Sequence, residues 1–178
     1  MDFLNELKSR IPDYAKDIRL NLESVISRSS LTPALAIGAA LAAAFATRSA
    51  DLVAGFRRAE ELPSGHADAA LTAAALMGMN NIWYPYVEMA ADDELKTVRA
   101  ELRMNAYANH GGVDRVTFEL YALAASIVGK CHFCVASHYK LLRESGLTVQ
   151  QLRDVGRIAA VVNAASQVLA VQSGPVAA

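Results

Sequence analysis

Cys131 and Cys134 are the only cysteines in the chain, spaced C-x-x-C, and His138 follows four residues after the second. Residues three and four apart on a helix share a face. The two thiols can therefore reach each other, and Cys134 can exchange a proton with His138. A helix start, a nearby base and a partner thiol lower a thiol pKa and favour the nucleophilic thiolate. The pattern suits a redox cycle. A thiolate attacks a peroxide O–O bond, the second thiol traps the sulfenic acid as a disulfide, and an external dithiol restores both. Cys131, nearer the helix start, is expected to be the more accessible sulfur and to meet the reductant, while Cys134 takes the proton-coupled step. The plainer alternative is a pair of small buried apolar residues and a solvated histidine.

Glu119 is the one charge at positions 116–128, in an otherwise apolar helix. A carboxylate there is costly unless exposed or paired. Besides exposure, the sequence allows a carboxylate that orients His138 or relays its proton, its pKa raised by burial. His132 points off the cysteine face, and His66 and His110 are expected to face solvent. A zinc-binding or structural module is a competing reading, with Cys131, Cys134 and His138 joined by Glu119 or His110. Roughly 10 Å of helix rise between Cys131 and His138 counts against it.

The elements that must carry these residues read as helices throughout. Leu4, Leu7 and Ile11 begin an apolar stripe, and Pro12 suits the first turn of a second helix to about Ser27. Thr32-Pro33 opens an alanine-rich helix to about Thr47, and Ser49 can cap a helix over 50–60. Ser64 is placed to cap a helix over 66–78, which continues over 79–90 despite Pro85. Residues 92–104 read as a short helix and connector, and Asn109-His110-Gly111-Gly112 as a loop. Asp114 caps a helix that ends at Gly129. The cysteine helix then runs to Ser145-Gly146, and Thr148 caps the last helix, with Leu152, Val155, Ile158 and Val162 on one face. The tail over 173–178 is expected to fray. With an offset of 83, residues 43–59 lie over 126–142, a faint internal repeat that places Arg48, Asp51 and Gly55 on Cys131, Cys134 and His138.

The chain's 178 residues are 53% apolar and 20% charged, with a net charge of −1. No basic stripe is available for nucleic acid. Two cysteines are too few for a secreted disulfide scaffold, and the acidic N-terminus lacks a signal-like apolar run. The uncharged stretch over 31–47 is short for a membrane span and contains Pro33 and Gly38, so a buried helix is expected. The cytoplasm is the expected compartment. The organisation expected is all-α: one domain over 1–178, with a helical half over about 1–108 and a second over about 113–172 that carries the cysteines. Ile82, Trp83, Tyr84 and Tyr86 suit either a monomer core or an oligomer contact.

Together these residues resemble the AhpD-type alkyl hydroperoxide reductases of the carboxymuconolactone decarboxylase-like superfamily. The matching segments are Pro-Asp-Tyr-Ala-Lys-Asp-Ile-Arg-Leu-Asn-Leu at 12–22, Met-Gly-Met-Asn-Asn-Ile-Trp-Tyr at 77–84, Leu-Arg-Met-Asn at 102–105, Phe-Glu-Leu at 118–120 and the C-x-x-C-x-x-x-H motif. The resemblance implies a helical subunit that assembles as a homotrimer and acts as a thiol-dependent peroxidase on alkyl hydroperoxides. It implies a proton relay through Glu119, Cys131, Cys134 and His138, with Cys134 the peroxidatic sulfur and no bound metal or tightly held cofactor. The reductant it implies is a lipoyl dithiol on a dehydrogenase-complex subunit, and it implies passage of electrons to the peroxiredoxin AhpC. An electron-transfer adaptor with incidental peroxidase activity is a third reading. Some relatives carry histidine directly before the second cysteine. Phe133 stands there in this chain.

Overall fold

In the computed structural model, which describes residues 2–172, the fold is built from helices, and no strand occurs among the described residues. The order is α1 (Asp2–Ser9), α2 (Lys16–Ser27), α3 (Pro33–Ala46), α4 (Ala50–Arg57), α5 (His66–Ala90), α6 (Asp93–Thr97), α7 (Asn105–Ala108), α8 (Arg115–Gly129), α9 (His132–Glu144) and α10 (Val149–Gln172). The expected fraying of the tail falls outside the described residues.

Local chemistry starts and stops these helices as the sequence suggests in most places. Thr32, Ser49 and Asp114 cap α3, α4 and α8 by accepting from the backbone N–H groups of Leu35, Leu52 and Thr117. Thr148 and Gln151 cap the start of α10 reciprocally, each side chain accepting from the other's backbone N–H. Three expectations need correction. Pro12 precedes a 3-10 turn over Asp13–Ala15 instead of opening α2 itself. Ser64 does not cap α5, whose N-cap is Gly65 in a left-handed conformation with no side-chain bond. Gly129 is still helical, and Lys130 takes the left-handed position that ends α8.

The core is made where α3, α5, α8 and α10 pack together. Residues 36–44 of α3 are all buried, and seven of those nine are alanine or glycine. Small side chains let helix axes approach closely, so α3 stands as the central post of the core, packed on α5, α8 and α10. The 24-residue α10 is long and apolar enough to cross a membrane by composition, yet its apolar face packs on α2, α3 and α8. Two contacts show how tight the packing is. A Cβ at Gly38 would come within 2.3 Å of the Tyr121 ring, and one at Gly129 within 2.1 Å of Asn81 Nδ2. Gly129 therefore serves close approach of α8 to α5, not termination.

The helix boundaries also bear on the offset of 83. Shifted by that amount, α3, α4 and α5 start within one residue of α8, α9 and α10. In addition, α5 packs on α8 as α10 packs on α3.

Candidate active site

Cys131 sits just before α9 as its N-cap, and its Sγ accepts from the Cys134 backbone N–H at 3.2 Å. Cys131 and Cys134 are joined as a disulfide with Cα atoms 5.3 Å apart. Lys130, at φ 55°, turns the chain sharply out of α8 to deliver Cys131 to this position. Both sulfurs thus lie at the positive end of a 13-residue helix, where a thiolate is stabilised. The expectation that Cys131 is the more accessible sulfur is not met. Cys131 is fully buried and Cys134 is 3% exposed. The reason is the capping role, which turns the Cys131 side chain inward under the first turn of α9.

Glu119 is fully buried on α8, so the exposed reading is excluded. Its Oε2 lies 2.6 Å from His138 Nδ1, one helix away. Its Oε1 accepts from the Tyr107 hydroxyl, and Arg115 Nε stands 4.0 Å off. Burial alone would raise this carboxyl, as the sequence suggested. The hydrogen bonds from His138 and Tyr107 outweigh it and hold the group below the usual carboxylate range. Tyr107 shows the reverse: burial first, then the Glu119 contact, pushes its hydroxyl well above the ordinary value, so it stays a donor.

An ionised Glu119 can only accept, so the hydrogen between it and His138 belongs to Nδ1. Nε2 faces Met77 Sδ at 3.2 Å. Nδ1 is therefore engaged by Glu119 and Nε2 lies against the Met77 thioether, while His138 and Cys134 line the same pocket of about 130 Å³. Met77, Met104 and Tyr107 stand among that pocket's walls. Next to it runs a wider cleft of about 700 Å³, mostly apolar, between α5, α6 and α9. Tyr84 and Phe133 line both spaces, their rings stacked with centroids 4.3 Å apart.

The structure thus brings together all four residues the sequence singled out. It adds Tyr107 and Met77, which the reading of the sequence had not placed in the site. Met77 was visible only as part of a resemblance motif, and Tyr107 lies in the one-turn α7, with no chemical signal of its own. His132 is exposed and lines the outer cleft. His66 is not simply solvated, since its Nδ1 lies 2.7 Å from the Tyr121 hydroxyl. His110 packs on Tyr107 and Phe118 instead of joining the cysteines. Among the described residues no group of three or more His, Cys, Asp and Glu side chains is disposed to hold a metal ion.

An all-helical scaffold carrying a dithiol at a helix start, with a buried Glu–His pair beside it, defines a class. Residues 93–172 match the carboxymuconolactone decarboxylase family. Over nearly the whole length the chain is similar to proteins named alkyl hydroperoxide reductase AhpD. That of Rhodospirillum centenum is 43% identical, over 93% of this chain and 90% of that protein. Those of a Bradyrhizobium species and of Brucella canis are 42% and 40% identical, over 89% and 92% of this chain and 88% and 94% of theirs. The chain belongs to the AhpD-type family of alkyl hydroperoxide reductases.

Proposed function

We propose that this protein is an antioxidant dithiol peroxidase that reduces alkyl hydroperoxides through a Cys131–Cys134 thiol–disulfide cycle. The observation that carries the reading is the meeting, in one pocket, of a disulfide-paired Cys134 with a histidine oriented by a buried carboxylate. In the reduced enzyme the Cys134 thiolate attacks the distal peroxide oxygen. The O–O bond breaks, the alkoxide takes a proton from His138, and Cys134 becomes a sulfenic acid. Cys131 sulfur then attacks that sulfur, the S–O bond breaks, water leaves and the disulfide forms.

A dithiol restores the pair in two exchanges. In the oxidised state Cys134, not Cys131, faces the pocket, so the incoming thiolate meets Cys134 and expels Cys131. The expelled Cys131 thiolate is held by the Cys134 N–H at the start of α9. The second thiol of the reductant then releases Cys134 and leaves as a cyclic disulfide. A lipoyl dithiol on a dehydrogenase-complex subunit is the reductant suggested by the family resemblance, with the peroxiredoxin AhpC as a further electron acceptor. The apolar cleft beyond Tyr84 and Phe133 suits the alkyl part of the substrate.

The same reading takes the chain as one cytoplasmic domain of two similar helical halves, assembled as a homotrimer. The matching helix starts at an offset of 83 support the halves. Ile82, Tyr86 and Met89, at least half exposed on α5, support an oligomer contact over a monomer core.

The test is peroxide consumption with dihydrolipoamide, glutathione or thioredoxin as electron source. Dihydrolipoamide is expected to sustain many turnovers, Cys134→Ser to consume nothing, and Cys131→Ser to stop near one equivalent. Full multiple turnover by either variant would sink the mechanism.

A further inference from the structure

The cycle above occupies both cysteines and His138 but leaves one sulfur of the pocket without a task. Met77, near the middle of α5, is 1% exposed and lines the pocket that holds Cys134. Its Sδ is 3.2 Å from His138 Nε2. A thioether has lone pairs and no hydrogen, so this contact is a hydrogen bond only when the ring carries hydrogen on Nε2. Any hydroperoxide that reaches Cys134 therefore enters a small space with a second oxidisable sulfur in its wall. Beside that sulfur stands Nε2 of His138, which in the protonated ring can hydrogen-bond a departing oxygen.

We propose that Met77 is a second peroxide-reactive sulfur of this site, and that its sulfoxide switches turnover off by capturing His138. The inference rests on the peroxidase reading for its oxidant, an alkyl hydroperoxide. Met77 Sδ attacks the distal oxygen of the hydroperoxide. The O–O bond breaks, an S–O bond forms, and the proton on the distal oxygen passes to the departing alkoxide to give an alcohol. Methionine loses two electrons and the peroxide gains them, so no other reactant is needed.

The product changes the hydrogen bonding of the relay. A weak sulfur acceptor becomes a strong, polar oxygen acceptor. With Glu119 on Nδ1 and the sulfoxide on Nε2, His138 has no nitrogen left for the Cys134 thiol. The new oxygen also takes up room in a pocket of about 130 Å³. Met104 lines the same pocket, but its sulfur contacts Asn80 Nδ2 at 3.7 Å and has no bond to His138. Oxygen at Met104 would crowd the pocket without holding the relay.

The experiment exposes the full-length disulfide form to excess tert-butyl hydroperoxide, reduces it, and measures residual turnover and peptide masses together. One added oxygen on the Met77 peptide is expected to track the lost activity, with a fall on the order of 10²-fold at full oxidation. Methionine sulfoxide reductase should reverse both. Met77→Leu, whatever its starting rate, should keep that rate through the same exposure. The proposal is overturned if activity falls with no oxygen on Met77, for example with extra oxygens on Cys134 instead. It is equally overturned if Met77 is oxidised without loss of turnover, or if Met77→Leu is inactivated as fast as the parent. Turnover by untreated protein scores the peroxidase reading separately, and the Met77 mass shift needs no turnover, so the two failures are told apart.

Discussion

At the level of single atoms, Tyr107 and His138 together hold the buried Glu119 carboxyl below its ordinary range. A carboxylate that accepts from both a phenol and an imidazole stays ionised below its ordinary range, so the orientation of His138 persists as the solution is acidified. In the linkage sense, the stability this group contributes is present above its unfolded value near 4.5 and is lost as pH falls through the lower folded value. Removing the Tyr107 hydroxyl takes away one of the two bonds that depress the Glu119 pKa. Tyr107→Phe should therefore move the acid limb of the pH–rate profile to higher pH while leaving the disulfide intact. Glu119→Gln should cost on the order of 10²-fold in turnover and remove that limb. An unshifted profile in both variants, measured with the same reductant, would take the carboxylate out of the relay.

At the scale of elements, the helices and most of their caps could be read from the chain because each start depends on a local side chain, as at Thr32, Ser49, Asp114 and Thr148. The cysteine pair and His138 were equally legible, since they sit on one helix at helical spacing. What could not be read depends on how helices meet. Tyr107 reaches Glu119 from the short α7, twelve residues away in the chain, Met77 reaches His138 from another helix, and the inward turn of Cys131 comes from its cap. Gly129 illustrates the same point, since its local signal was termination while its role is contact with Asn81. Gly129→Ala should cost about 1–3 kcal/mol in chemical denaturation by forcing α8 from α5. Because α8 carries Glu119 and α5 carries Met77, turnover should fall with it. Unchanged stability would show that Asn81 moves aside freely.

Across the whole molecule, one polar cluster joins distant parts of the chain. Asp154 on α10 is 1% exposed and accepts from both the backbone N–H and the hydroxyl of Ser30, each at 2.8 Å. Arg153 and Arg157 lie against its other oxygen at 3.1 Å. Burial would raise this carboxyl, but the Ser30 and arginine bonds push it down to about 2. Its stabilisation is thus fully present above the unfolded value near 3.8 and is lost as pH falls toward about 2. Asp154→Asn should lower stability by about 1–2 kcal/mol at neutral pH, an amount reduced for the partly exposed arginines. The difference from the parent should shrink in acid. A gap that stays constant from neutral to pH 3 would mean that shape, not charge, is what Asp154 supplies.

The seat that Gly38 leaves for Tyr121 carries an implication for how this protein can change over generations. The ring fills the place where any α3 side chain would stand, 2.3 Å from the nearest possible Cβ. Tyr121 is two residues from Glu119 on the same helix. A larger residue at 38 would therefore press on the helix that carries Glu119, though it does not touch the Glu119–His138 pair. Second-site revertants of such a lesion should accumulate as smaller residues at position 121, since the Tyr121 ring occupies that space. In a lineage of sequences, positions 38 and 121 are then expected to drift as a pair, with the redox residues unchanged.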